Sequence, residues 1–165
     1  LGGALATSMA TQGAALHIIT HATGKITLFF VAGAIYVSAK ISKISELDGH
    51  GKSMPLLFLA FFVGSLSIIG VPPMGGSWSK FYLMLGAVES DYIFVIVVLC
   101  ISTLLNVYYL LEIPTRAFFK NKIKEVEVEN YSLMTIPTLF AATLTVIIFF
   151  YVEPIKNLTN LITSN

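Results

Sequence analysis

Residues 54–89 contain a segment through which no continuous transmembrane helix can pass. The first part, MPLLFLAFFVGSLSIIG, is an apolar run of about 17 residues, which would form roughly 25 Å of helix. The last part, WSKFYLMLGAVE, is a shorter apolar run that carries Lys80. Two adjacent prolines between them remove two backbone donors, and nearby glycines permit φ values that other residues resist. We expect the helix to break at Gly70, Pro72, Pro73, Gly75 and Gly76.

Such a break has a specific meaning in a membrane. Backbone that is not helical is tolerated at membrane depth only where it is buried in protein or lines a wet cavity. A helix broken near the middle of the bilayer, with a lysine about one turn beyond the break, is typical of ion-translocating transporters. The segment therefore predicts ion transport.

The composition supports a membrane protein. The chain is 56% hydrophobic and 12% charged, with a mean hydropathy of +0.83, which excludes an ordinary soluble domain. A net charge of +1 gives no electrostatic support for nucleic-acid binding. Cys100 is the single cysteine, so no internal disulfide can form. The chain begins at Leu1 without a signal-peptide pattern, and we expect it to be the C-terminal piece of a longer membrane protein.

The apolar runs predict an all-α, polytopic membrane protein with about four transmembrane spans, one of them discontinuous. Residues 1–9 would be a loop or the end of a preceding helix, 10–152 the membrane domain, and 153–165 a short polar tail. The expected spans are 10–37, 54–89 with its break at 70–76, 92–117 and 132–151.

The distribution of basic residues predicts how often 54–89 crosses. If it crosses once, most basic side chains of the chain fall on one side of the membrane and only Lys156 falls clearly on the other. If it crosses twice, this asymmetry vanishes. The positive-inside rule therefore favours one discontinuous span in an inner (plasma) membrane, with the basic loops 38–53 and 116–130 cytoplasmic. The basic residues of these loops are Lys40, Lys43, Lys52, Arg116, Lys120, Lys122 and Lys124.

The first span carries a polar stripe formed by His17, His21 and Lys25. Their spacing of four residues turns by only about 40° per step, so they share one helix face. A lysine in hydrocarbon costs roughly 3 kcal/mol on insertion scales, so this face must contact other helices or water. Histidine titrates near neutral pH, and two imidazoles and an amine one turn apart could relay protons through bridging waters.

Other interpretations of the stripe stay open. The histidines could serve as hydrogen-bond partners between helices. Metal or haem ligation is disfavoured because no third ligand type lies near them, and we predict neither a metal nor a cofactor. Lys25 lies near the middle of its span, which argues against an interfacial lysine.

Lys80 has two compatible interpretations. It could pair with a carboxylate or with the last carbonyls of the preceding half-helix, and it could also carry or gate a proton. Trp78, which lies beside the break, is expected to pack the bend. Glu112 and Arg116 are spaced i, i+4 near a helix end, which predicts a local ion pair.

Two motifs together resemble a known family. HIITHATGKITLFFVAGAIYV (17–37) and GSLSIIGVPPMGGSWSKFYL (64–83) resemble the antiporter-like proton-pumping subunits of respiratory complex I and of Mrp-type Na⁺/H⁺ antiporters. The resemblance covers most of 10–119. The segment SWSKFYLMLGAVES is similar to the corresponding segment of Mrp D-type subunits. It implies that the stripe lies on the family's central hydrophilic axis and that Lys80 lies on its second discontinuous helix.

The chain also departs from this family. The carboxylate–lysine pair and the first broken helix of the family belong to an earlier repeat that the chain lacks. The motif Met74-Gly75-Gly76-Ser77 is glycine-rich where relatives often carry Ala-Gly-Phe, which implies a looser break.

Three functions follow from these observations. The first is a proton-translocating membrane subunit of a monovalent cation/proton antiporter, which would exchange H⁺ for Na⁺ or K⁺ within the lipid bilayer and assemble with other membrane subunits. The second is a proton-pumping membrane subunit of an NADH:quinone oxidoreductase. No flavin, Fe–S or quinone motif is present, so catalysis in such a complex would reside in other subunits. The third is a truncated structural scaffold in the membrane.

Overall fold

The computed structural model describes residues 5, 7–122, 128 and 130–163, and the regular structure within them is entirely helical. Two short 3-10 helices, Ile44–Leu47 and His50–Lys52, lie between the first and second α-helices. The α-helices are α1 Ser8–Ala39, α2 Pro55–Ile69, α3 Gly76–Glu89, α4 Ile93–Phe119, α5 Ser132–Phe150 and α6 Val152–Thr163.

The long helices are suited to a membrane. By length and composition α1, α4 and α5 can each cross a bilayer, and α2 is a shorter apolar helix of 15 residues. The expected all-α, polytopic membrane fold is confirmed. α2 and α3 are the two parts of the helix that the prolines and glycines interrupt. The tail, which we expected only to be short and polar, is helical over Val152–Thr163.

Local sequence explains where the first helices begin and end. The hydroxyl of Thr7 accepts a hydrogen bond from the amide of Ala10, which caps α1. Pro55 occupies the first turn of α2, where its missing N–H has no consequence. Gly70 ends α2 with φ +86°, a left-handed conformation that glycine adopts without strain.

α1 lies at the centre of the bundle and packs along α2, α3 and α5. Two glycines bring α1 and α3 close together. A Cβ at Gly86 would lie 2.6 Å from the backbone nitrogen of Ala10, and one at Gly13 would lie 2.7 Å from that of Leu83. Small residues at such crossings are a common feature of membrane helix pairs because backbones can then approach closely.

An ion pair between the half-buried Arg116 and the buried Asp48 joins the loop after α1 to the end of α4. Arg116 donates to both oxygens of Asp48, with Nε–Oδ1 at 2.7 Å and Nη2–Oδ2 at 3.0 Å. The amide of Gly49 donates to the carbonyl of Arg116 at 3.2 Å. Arg116 also donates to Glu112 at 3.1 Å, which confirms the predicted local pair. The contact between Arg116 and Asp48 was not predicted. It holds the loop after α1 and the C-terminal end of α4 at the same level of the bundle.

The remaining basic loop is described only in part. Residues 123–127 and 129 of the predicted loop 116–130 lie outside the described residues, as do 1–4 and 6 of the predicted segment 1–9. Arg116 itself lies within α4, which continues to Phe119.

The close crossing of α1 and α3 predicts a strong effect of one added methyl group. Gly86→Ala would force backbone atoms of α1 and α3 apart, and we expect a loss of about 1–3 kcal/mol of stability in detergent. Gly33→Ala is the matched control, because Gly33 also lies in a helix and nothing lies within 4 Å of its added Cβ. Thermal unfolding of the two purified variants measures the difference. Equal melting temperatures of Gly86→Ala and Gly33→Ala would contradict the close approach of α1 and α3 at Gly86.

The ion pair between Asp48 and Arg116 predicts a pH-dependent contribution to stability. The hydrogen bonds from Arg116 lower the pKa of Asp48 below its usual range, more than burial opposes this. The contribution is therefore complete above the usual carboxyl pKa and is lost as pH falls through the native pKa. We expect Asp48→Asn to lower the melting temperature at neutral pH, with a difference from wild type that shrinks in acid. The exposed Glu46 forms no ion pair in the described part of the chain, so Glu46→Gln should change little at any pH.

Candidate functional site

The chain between α2 and α3 leaves the helical path at Gly70. The amides of Gly70 and Val71 both donate to the carbonyl of Leu66, at 2.9 and 3.1 Å, which closes the end of α2. Pro72 and Pro73 follow, joined by a cis peptide bond, and both are exposed. The carbonyls of Ile68 and Ile69 thus have no amide four residues later, because those positions are Pro72 and Pro73.

Residues 74–76, which form the second half of the break, pack against α2 and α5. The amide of Gly75 donates to the carbonyl of Thr145 at 2.9 Å, and the Thr145 hydroxyl lies 3.9 Å from the sulfur of the buried Met74. A Cβ on Gly76 would lie only 1.8 Å from the carbonyl oxygen of Ser67. This position therefore requires glycine, because the two half-helices meet backbone to backbone.

Lys80 is held by two neutral oxygen atoms. Its Nζ donates to the carbonyl of Ile69 at 2.7 Å and to the hydroxyl of Thr103 at 2.8 Å. Ile69 is the last residue of α2, so its carbonyl is one of those that the break frees. From the sequence, the structural partner of Lys80 could be a carboxylate or one of the last carbonyls of the preceding half-helix. The structure shows the carbonyl. No carboxylate forms an ion pair with it among residues 5, 7–122, 128 and 130–163.

His17 is held by the first turn of α3. Its Nδ1 lies 3.1 Å from the Ser79 hydroxyl, which donates to the carbonyl of Gly76 at 2.9 Å. A hydroxyl has one proton, so Ser79 then accepts from Nδ1–H and the Nε2 of His17 is the nitrogen that can accept a proton. The ring of His21 follows, with its centroid 5.1 Å from that of His17.

The four predicted relay residues border one cavity of about 400 Å³. His17, His21 and Lys25 line it from α1, and Lys80 lines it from α3. The two histidines and Lys80 are half-buried, whereas Lys25 is exposed. The remaining lining residues are Leu28, Ile68, Leu83, Leu99, Ser102, Asn106, Tyr109 and Leu110.

α4 contributes polar groups to the cavity. Ser102, Asn106 and Tyr109, polar positions of an otherwise apolar helix, all line it. Thr103, which accepts from Lys80, was missed. The signal for it in the sequence was weak, because a Ser or Thr hydroxyl in an apolar helix usually bonds its own helix backbone, as Thr103 also does to the carbonyl of Leu99.

Trp78 packs the outer side of the bend. Its Nε1 donates to the carbonyl of Phe149 at 3.0 Å, and its ring contacts those of Phe81, Tyr82 and Phe149. This arrangement agrees with the expectation that Trp78 fills space at the break. It holds α3 against α5 on the side away from the lysine.

The side chains around the cavity are suited to proton transfer. Two imidazoles and two amines surround it, and hydroxyl and amide groups supply further hydrogen bonds. No group of three or more metal-ligating side chains occurs within the described part of the chain. A volume of about 400 Å³ accommodates several waters, at roughly 30 Å³ each in the liquid, which can bridge titratable groups.

The comparisons with known sequences agree on one family. The family described as "NADH:quinone oxidoreductase/Mrp antiporter, TM" matches residues 1–106. The chain is 38% identical over 120 residues to NADH-quinone oxidoreductase subunit N of Desulforudis audaxviator, which covers 73% of this chain and 24% of that protein. It is 31% identical over 158 residues to the D-type subunit of the Na⁺/H⁺ antiporter of Alkalihalophilus pseudofirmus, which covers 94% of this chain and 32% of that protein. The chain thus spans about a quarter to a third of these relatives.

The comparisons with solved structures agree on the fold. A chain of the Mrp complex from a Dietzia species superposes with a TM-score of 0.87 at 20% identity, over 96% of this chain and 38% of that one. A chain of respiratory complex I from Thermus thermophilus superposes with a TM-score of 0.70 at 21% identity, over 90% of this chain and 36% of that one. At such identities the likeness shows the fold alone.

The backbone contact at the break predicts that Gly76 cannot be replaced. Gly76→Ala places a methyl group inside the contact distance of the Ser67 carbonyl, so α2 and α3 must separate. We expect a loss of at least about 3 kcal/mol, at the upper end of overpacking effects. The measurement is thermal unfolding in detergent, with Gly33→Ala as the control. A variant as stable as that control would show that the two half-helices do not meet here.

Proposed function

Because the chain belongs to the NADH:quinone oxidoreductase/Mrp antiporter membrane family, we propose that it forms part of the proton-translocating membrane subunit of a monovalent cation/proton antiporter. The observation that carries this proposal is the cavity that His17, His21, Lys25 and Lys80 share beside the broken helix. Polar and ionisable groups are expensive inside a membrane and are retained there mainly for transport. Four of them around one cavity provide a continuous set of proton acceptors.

The proposed mechanism is a relay along α1 that ends at α3. Protons pass among Lys25, His21 and His17 through waters in the cavity and reach Lys80. Each group can hold one proton, and neighbouring positive charges oppose one another, so a proton arriving at one site favours release at the next. A change in the charge of Lys80 alters its hydrogen bond to the freed carbonyl of Ile69, which links protonation to the geometry of the break.

The topology that we propose follows from the charges and the ion pair. α2 and α3 form one discontinuous span, and the basic loops 38–53 and 116–130 are cytoplasmic in an inner (plasma) membrane. The contact between Asp48 and Arg116 supports this arrangement, because it joins the first basic loop to the start of the second. The partners are other membrane subunits, the lipid bilayer, protons, and Na⁺ or K⁺.

A redox-driven pump is the second candidate function. The 38% identity to an NADH-quinone oxidoreductase subunit N favours it. The same cavity would then move protons without cation exchange, and electron transfer would take place in other subunits. Copurification with Fe–S subunits would support the redox pump, and copurification with small membrane subunits alone would support the antiporter.

The proposed function predicts that both lysines are needed for exchange. We expect Lys80→Ala and Lys25→Ala to lower ΔpH-driven cation/proton exchange in everted vesicles at least about tenfold, as expected when a proton-transfer group is lost. The assay uses the complete subunit with its partner subunits. Lys43→Ala is the matched control, because Lys43 is exposed in the loop after α1 and does not line the cavity with Lys80.

The outcomes separate the candidate functions. Undiminished exchange in both lysine variants would overturn the relay and leave these residues with a structural role. If the wild-type assembly shows no exchange but pumps protons during NADH oxidation, the redox pump replaces the antiporter. If the assembly shows neither activity, the third candidate function, a structural scaffold in the membrane, replaces both.

A further inference from the structure

We propose that Thr103 is a positioning residue that orients the amine of Lys80, so that the site at which Lys80 gains and loses its proton faces the shared cavity. This role rests on the proposed function, because orientation matters only if Lys80 exchanges protons. Thr103 lies on α4, whereas the relay residues lie on α1 and α3. The inference therefore gives α4 a role in orienting the amine of Lys80.

The geometry of the amine carries the first step. A protonated lysine has three N–H donors in a tetrahedral arrangement, and two of them point at the Ile69 carbonyl and the Thr103 hydroxyl, at 2.7 and 2.8 Å. When the amine is neutral, its two N–H groups can keep both bonds. The third position then carries the lone pair, and rotation about Cε–Nζ cannot redirect it without breaking a hydrogen bond.

The second step concerns the hydroxyl of Thr103. This hydroxyl donates its single proton to the carbonyl of Leu99 at 2.8 Å, so its oxygen is available to Lys80 only as an acceptor. The bond to Leu99 is a helix back-bond, which holds the Thr103 side chain in one rotamer. Thr103 is thus a fixed acceptor in both protonation states of Lys80.

The third step concerns the stem of Lys80. A Cβ on Gly70 would lie 2.9 Å from the Cδ of Lys80, so the aliphatic stem runs directly over the left-handed glycine at the end of α2. The stem therefore occupies the space that a side chain at residue 70 would fill. With two of its hydrogen bonds directed at Ile69 and Thr103, the amine has one direction left open for proton exchange.

The groups that face Lys80 across the cavity come from α1, α2 and α4. α1 contributes His17, His21 and Lys25, and α4 contributes the Tyr109 hydroxyl. α2 contributes the apolar side chain of Ile68, besides the carbonyl of Ile69. The nearest titratable groups that can exchange a proton with Lys80 through water are therefore those of the stripe.

Thr103→Val tests this role, because valine keeps the shape of threonine and removes the acceptor. Fewer acceptors disfavour the protonated amine, so we expect the pH profile of cation/proton exchange to shift toward lower pH by about one unit, with a reduced maximal rate. Thr103→Ser keeps a hydroxyl and should restore the wild-type profile. All variants are assayed in everted vesicles with the complete subunit and its partners, and rates are normalised to the amount of assembled protein.

Thr115→Val is the matched control. Thr115 lies on the same helix and makes the same back-bond, to the carbonyl of Leu111 at 2.7 Å, but it is exposed and does not contact Lys80. Its profile should equal that of wild type. If Thr103→Val accumulates poorly, Thr103→Ala provides a smaller side chain without an acceptor and is expected to show the same shift.

The results distinguish the positioning role from the proposed function. Loss of exchange in Lys80→Ala together with wild-type profiles in Thr103→Val and Thr103→Ala would overturn the role of Thr103 and leave the proposed function intact. A shift in Thr103→Ser as large as that in Thr103→Val would also overturn it. Unchanged exchange in Lys80→Ala would overturn the proposed function itself, and the positioning role with it.

Discussion

A lysine inside an apolar helix bundle needs hydrogen-bond acceptors, and the interruption between α2 and α3 supplies one of them. Within an intact helix the carbonyl of Ile69 would accept from a backbone amide four residues later. The residue at that position is Pro73, which has no N–H, and the Nζ of Lys80 donates to the carbonyl instead, at 2.7 Å. One lysine thus satisfies a backbone group that the break exposes, and the break provides an acceptor for the amine within the helix bundle.

The surrounding helices hold this arrangement in place from several sides. α1 approaches α3 closely because Gly13 and Gly86 have no side chains at the crossing. On the opposite side Trp78 binds the backbone of α5. α4 is anchored far from the site by Asp48 and Arg116, and it presents Thr103 to the lysine along the same helix.

The fold and the chemistry of the cavity depend on different features of the chain. The same arrangement of helices occurs in solved structures that share only 20–21% identity with this chain. Apolar runs, a few close-packed glycines and the interruption of one helix are sufficient to specify it, since apolar side chains of similar size replace one another at small cost. The cavity depends instead on single polar residues, such as His17 and Lys80, whose hydrogen bonds few other side chains can make.

The sequence by itself determined the helical class, the position of the interruption and the placement of His17, His21 and Lys25 on one helix face, because each follows from local backbone chemistry or from the 3.6-residue period. Only the tertiary structure decided which helix faces Lys80 and which residue pairs with Asp48. These contacts join residues 23 and 68 positions apart. They depend on how helices rotate and cross, and a side chain's own neighbours in sequence contain no information about that.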